Sequence, residues 1–368
     1  MATYYVRKSG NDANSGLSPS LAKLTYTAAY NAASSGDTIY IGAGVYREAQ
    51  LTTSKQISFI GDYLGTYTGD AGLVMFRGSA ADVTATTGTC LQLNSSGASG
   101  TIIRWIAFSG WSSHQILLNV GAINVTITDC AFHSSGGTGG SIHHAFSSTL
   151  STALTVERCL FVGTANGIWY YQGDNVDRTI NWTVRNCVFM LWTQGAYGVN
   201  CAHGGGLLVE NCTFLGTAGA VIVGGSGTMT TPGIMRYCLV ESAGWWVAAN
   251  TLGFLVEDYN VFSLGGYGGR TNVAAGANSV TRVALLEMRV WFEALRGRIS
   301  TMWDVGADWQ VINNAIGAGG YATDARGATV LGANREVGAL EYNSALGVAG
   351  STPSSPSVMR SPAIRGER

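Results

Sequence analysis

The chain has 368 residues, 51 of them glycine, and only 12% are charged, with 21 Lys and Arg against 22 Asp and Glu. So even a balance gives no field to gather nucleic acid or an anionic membrane, and neither is expected as a partner. So few charges also leave a large surface short of solubilising side chains, so part of it should be hidden by stacking or assembly.

The opening residues, Met1 to Tyr5, lack the basic start and apolar run of a secretory signal, which predicts synthesis and retention in the cytoplasm. No stretch approaches the ~20 apolar residues that a membrane span requires. Residues 1–36 read as an opening segment with a cap, in which the Ala-rich stretch from Leu21 to Ala33 predicts a short helix. A solenoid needs such a cap, because its first coil otherwise exposes core side chains and strand edges. Asp37 to Gly42 then predicts the first core strand.

Residues 37–280 read as the β-helix, and a repeat is legible from about residue 102 to 266. The phrase Asp129-Cys130-Ala131-Phe132 returns as Arg158-Cys159-Leu160-Phe161, Asn186-Cys187-Val188-Phe189 and Asn211-Cys212-Thr213-Phe214. Looser versions stand at Tyr237-Cys238-Leu239-Val240 and Tyr259-Asn260-Val261-Phe262. The cysteines are 29, 28, 25 and 26 residues apart, periods that suit one solenoid coil. Cys and the aromatic are two residues apart, which in a strand puts both on one face, and that face must be the core. The preceding segments alternate in the same way, with Gly, Asn and Ser at the corners. The prediction is an all-β, right-handed parallel β-helix. Coils stacked about 4.8 Å apart bring Cys130, Cys159, Cys187, Cys212 and Cys238 into one buried column of thiols. Parallel stacked side chains make poor cross-link geometry, so disulfides are not expected.

Residues 281–349 break the β alternation. Val283 to Arg296 places Leu285, Met288, Phe292 and Leu295 on one helical face, predicting an amphipathic helix against the last coils or a neighbouring subunit. Residues 350–368 hold three of the five prolines with several serines, the composition of an extended arm.

Tyr4-Tyr5-Val6-Arg7-Lys8-Ser9-Gly10-Asn11-Asp12, with Gly36 to Glu48, resembles the opening of pectate-lyase-like right-handed β-helix proteins. Ile60-Gly61-Asp62, Thr68 to Gly72 and Arg335 to Tyr342 are similar to the same group. The resemblance is greatest to phage-encoded β-helix proteins of the virion. It implies a virion structural or adhesive protein assembled in the host cytoplasm, as capsid decoration, head spike or tail component. It also implies a homotrimer in contact with other virion proteins and possible contact with surface polysaccharide. The superfamily's polysaccharide lyases and glycoside hydrolases make an enzyme the alternative, since fold does not settle chemistry.

Its lyases hold calcium with clustered acids and use an Arg or Lys base. Here Asp174 and Asp177 beside Arg178 sit in a Gly/Asn segment that reads as a turn, so no metal and no cofactor is expected. Glu157 and Glu210 occupy like places two coils apart with Arg185 between, which predicts a charge ladder on the outer face in preference to an acid/base pair. His143 and His144, adjacent in a strand, would point to opposite faces and could not chelate one ion; loop or surface places are expected for both. Cys201-Ala202-His203 likewise falls short of a metal site, and Lys55 reads as a stem covering a strand edge. The Gly-rich runs lack the Gly-Lys-Ser/Thr ending of a phosphate loop. No catalytic residue is assigned. The aromatic groups Trp169-Tyr170-Tyr171, Trp192 with Tyr197, and Trp245-Trp246 each follow a Cys phrase and should fall on one sheet. Trp169, Tyr171, Trp192, Tyr197 and Trp245 are the candidates for stacking on sugars or packing against another subunit.

Overall fold

Short strands with one apolar side can bury that side only by winding around a shared core, and the computed structural model shows this winding. It describes residues 1–78, 88–119, 121, 123–134, 140–146, 153–163, 166–172, 178–191, 197–202, 204–224, 231–249, 252–263 and 269–282. Among these, strands pair in parallel with the matching strand of the next coil and build three faces. Parallel connections of this kind wind right-handed, so the fold is a right-handed parallel β-helix.

The first face is a ten-stranded sheet running from Thr3–Val6 to Leu255–Asp258. The second contains Ala131–Ser134, Leu160–Gly163 and Val188–Leu191 and continues to Val280–Arg282. The third contains Leu51–Thr53, Thr89–Leu93, His114–Leu118, Gly140–Phe146, Asn166–Gln172 and Tyr197–Ala202. Two long strands, Thr213–Gly224 and Leu239–Ala249, run from the second face into the third across irregular registers.

The repeated phrase is the corner between the first and second faces. Its first residue has a positive φ: 56° at Asp129, 51° at Arg158, 54° at Asn186, 52° at Asn211, 55° at Tyr237 and 57° at Tyr259. That left-handed turn bends the chain within one residue. The bend does not interrupt coil-to-coil bonding, since Asp129 N donates to Glu157 O (3.0 Å) and Leu160 N to Cys130 O (2.9 Å). Later coils repeat both bonds, as Asn186 N to Glu210 O (3.1 Å) and Thr213 N to Cys187 O (2.9 Å) show.

Each Cys follows the bend and points into the core. Its Sγ donates to the carbonyl two residues back, 3.2 Å at Cys130, 3.4 Å at Cys159 and 3.2 Å at Cys187. All seven cysteines are free and buried. Two residues on, Phe108, Phe132, Phe161, Phe189 and Phe214 form a column with centroids 4.6–5.2 Å apart and planes within 12°. Gly167 and Gly198 follow because a Cβ at either would lie 2.6 Å or 2.4 Å from the ring of Phe189 or Phe214.

The first and the last described coils differ in how they hold polar groups. The helix at the first coil is Tyr26–Ala32, shorter than the expected Leu21 to Ala33, with Pro19–Leu21 forming a separate 3-10 turn. Thr25 Oγ1 accepts from Ala28 N (3.1 Å), and the Glu48 carboxylate accepts from Tyr26 N and Thr27 N (3.0 and 2.9 Å). The Tyr26 ring then stacks on Phe76 at 4.1 Å and covers the aromatic column. In the last described strand of the first face, Glu257 takes the inward position held by Met235 one coil earlier. This buried carboxylate accepts from Arg270 Nε (2.6 Å), Asn260 Nδ2 (2.9 Å), Ser279 Oγ (2.5 Å) and Gly276 N (2.8 Å). The expected helix at 283–296 and the arm at 350–368 lie outside the described residues.

Candidate functional site

The third face carries an outward row that crosses every coil: Thr52, Gln92, Leu117, His143, Trp169, Asn200, Ile222, Ala248 and Thr271 are successive partners. Its inward neighbours Ile116, Ile142, Ile168, Val199, Val221 and Val247 are fully buried and fix which side faces out. In the early coils the row belongs to an amide ladder. Gln50 Nε2 donates to Gln92 Oε1 (2.6 Å), Gln92 Nε2 to Asn94 Oδ1 (3.4 Å), and Asn119 Nδ2 to the same Asn94 oxygen (2.8 Å).

Next comes a histidine pair. His114 Nδ1 lies 3.2 Å from Gly140 O, and His143 Nδ1 lies 2.8 Å from His114 Nε2. A carbonyl only accepts, so His114 carries its proton on Nδ1 and, when neutral, leaves Nε2 to accept from His143 Nδ1–H. Burial pushes the pKa of both downward, that of His143 to about 3, with the charges of His114 and His144 adding to the effect there. The Trp169 ring lies on His143, centroids 4.7 Å apart and planes 10° apart. Trp169, Asn166, Tyr197 and Asn200 are half-buried, and Tyr197 N donates to Asn166 Oδ1 (2.8 Å). The surface thus offers an aromatic ring beside neutral donors and acceptors, held in place by one another.

Trp169 and Tyr197 therefore share the third face, as the spacing implied. The register also places Trp245 in the column of Tyr197, with Gly219 between them. The side chains of Tyr171, Trp245 and Trp246 lie outside the described residues, as does all of Trp192. Tyr170 points inward, buried edge-on against Trp182 at 5.4 Å.

The expectation that His143 and His144 are loop or surface residues is corrected: both lie within the strand Gly140–Phe146 and are buried. They do point to opposite faces, His144 packing inside against Tyr170 and Trp182 at 5.5 and 5.6 Å. Sequence reasoning missed Gln50, Gln92, Asn94, Asn119 and His114 altogether. Gln50 and Gln92 stand 42 residues apart, outside the repeat period, so no spacing marked them.

The carboxylates are engaged elsewhere. Glu157 accepts from Arg158 (2.6 Å) and Arg185 (2.9 Å), Glu210 from Arg236 (2.7 Å), and Asp129 from Arg104 (2.9 Å) and Arg158 (2.6 Å). This is the expected charge ladder, but its carboxylates are buried along the first face and its corner and do not stand on an open outer surface. Burial raises the Glu210 pKa against the pull of Arg236. Lys55 Nζ donates to Ala33 O (2.7 Å) and Tyr30 O (3.1 Å), a tie to the cap helix. Asp174, Asp177 and His203 lie outside the described residues, and Arg178 is described by its backbone alone. Among the described residues, no three His, Cys, Asp or Glu converge as metal ligands.

No family model matches the chain, and no curated protein matches it. Solved structures do. XylC in complex with xylose is similar over 77% of this chain and 71% of its own, with 10% identity and a TM-score of 0.47. A rhamnogalacturonan lyase covers 72% and 75%, with 12% identity and a TM-score of 0.45. Pectate lyase Pel9A covers 93% and 97%, with 13% identity and a TM-score of 0.44. At these values the likeness is one of general outline and says nothing about the activity of this chain.

Proposed function

We propose that the third face is a glycan-contact surface and that the chain is a structural or adhesive β-helix protein that holds a polysaccharide without cutting it. The observation that carries this reading is Trp169, fixed on His143 in a row with an amide ladder. Sugars present both apolar ring faces and hydroxyls, and an aromatic plane beside immobilised donors and acceptors complements both. The non-cutting part rests on the carboxylates: Asp129, Glu157 and Glu210 are each bound to arginine and lie away from this face.

A place in a phage virion, as a homotrimer beside other virion proteins, belongs to the same reading and rests on the sequence resemblance. Exposed Ile234, Leu252 and Val256 near the last coils add apolar surface that assembly would cover. Incubation of the full chain with bacterial surface polysaccharide tests the core of the proposal. Co-sedimentation with unchanged polymer length is the expected result; shortening, or growth of unsaturated-product absorbance, overturns it in favour of a lyase or hydrolase. Absence of the chain from purified virions overturns the virion setting alone.

A further inference from the structure

The third face also has a charge property that sorts its ligands. The eight strand segments from Leu51–Thr53 to 245–249 contain no Asp, Glu, Lys or Arg, and Arg270 is the first charge on this face. Most charges from Leu51 to Asp258 collect elsewhere. Asp62, Arg104, Asp129, Glu157, Arg158, Arg185, Glu210, Arg236, Glu257 and Asp258 lie on the first face or at the corner after it. Lys55, Asp70, Arg77, Arg178 and Glu241 lie on other segments outside those of the third face. Segments 79–87 and 173–177, which adjoin third-face strands in sequence, add Asp82, Asp174 and Asp177, and the cations that follow third-face strands in sequence are Lys55, tied to the cap helix, and Arg178.

We propose that the third face selects uncharged glycans, chains bearing hydroxyl, ether or amide groups, and rejects those bearing carboxylate, sulfate or phosphate. The proposal rests on the glycan reading of this face. An anionic sugar laid along the row would lose water without meeting a cation on these strands, and an unpaired charge removed from water is costly. Gln50, Gln92, Asn94 and Asn119 instead supply both donors and acceptors, which is what a hydroxyl needs. The bonds among them hold the amides in place before a ligand arrives, which lowers the ordering cost of binding. His114 joins the row as a neutral ring, since its Nε2 must accept from His143 Nδ1–H, and burial keeps His143 uncharged as well.

The test measures binding of the full chain to neutral polymers (galactomannan, xylan, dextran) and acidic ones (polygalacturonate, alginate, hyaluronate), at low and high salt. The expected result is binding confined to the neutral set, at least about tenfold tighter than to any acidic polymer, and nearly independent of salt. Gln92→Arg should bring salt-sensitive acidic binding to the same surface. Tighter, salt-sensitive acidic binding by the native chain, weakened by Trp169→Ala, overturns the selectivity and leaves the glycan surface standing. Failure of both sets to bind overturns the glycan surface itself.

Discussion

The indole of Trp169 rests on the imidazole of His143 one coil away, with ring centroids 4.7 Å apart and planes 10° apart. The stack fixes the indole before a sugar arrives. Trp169→Ala should weaken glycan binding by about 0.5–1.5 kcal/mol, the worth of a stacking contact, or roughly two- to tenfold. Trp169→Phe should recover part of that. Titration calorimetry of both variants, with circular dichroism to confirm the fold, checks the prediction; unchanged binding in Trp169→Ala removes this ring from the site.

Acid should loosen the solenoid at these coils. An unfolded histidine titrates near pH 6.5, whereas burial holds His143 and His144 at about 3. Between those values the unfolded chain binds protons that the folded chain refuses. The stability contribution is therefore full above about pH 6.5 and is lost as pH falls toward 3. The melting temperature should fall steadily from pH 7 to pH 4, and His144→Phe, which keeps an aromatic ring beside Trp182, should flatten the slope. An equal slope in that variant would assign the acid sensitivity to other groups.

Much of the fold was legible because one coil writes the same phrase each time. Cys159 and Phe161 had to be buried together once two-residue alternation was accepted, and the structure buries both. The left-handed corner was only half marked, because Asp129, Asn186 and Asn211 are types that favour that backbone whereas Arg158, Tyr237 and Tyr259 at the same position are not. His143 and His144 were misplaced because polar residues beside a Gly-rich run look like a loop. What buries them is the adjoining coil, through Trp169 and Tyr170. The stacking aromatics could be found by type, whereas the amide ladder depends on pairing Gln50 with Gln92 across an insertion that interrupts the period.

The cysteine column should be chemically silent. Burial raises the pKa of Cys130, Cys159, Cys187 and Cys212, which removes the thiolate that reacts. A thiol reagent at neutral pH should label the folded chain slowly and all seven cysteines promptly in denaturant. Rapid labelling of three or more in the folded protein would contradict the buried column.

The last described coil should hold the most sensitive polar point among the described residues. Glu257 sits where the preceding coils place Met235, Val209 and Val184, so its carboxylate is held inside an otherwise apolar column. Arg270, Asn260, Ser279 and the Gly276 amide supply the bonds that make this tolerable. Removing one member of a buried ion pair commonly costs about 3–5 kcal/mol, because the other charge keeps its desolvation cost without its partner. Glu257→Ala should therefore destabilise the last coils far more than Glu257→Gln, which can still accept from Ser279 and Arg270. Glu257→Met combined with Arg270→Leu should restore most of the loss by continuing the apolar column of Met235. Urea melts of the four proteins, native included, read the difference; if Glu257→Ala melts with the native chain, the network does not stabilise these coils.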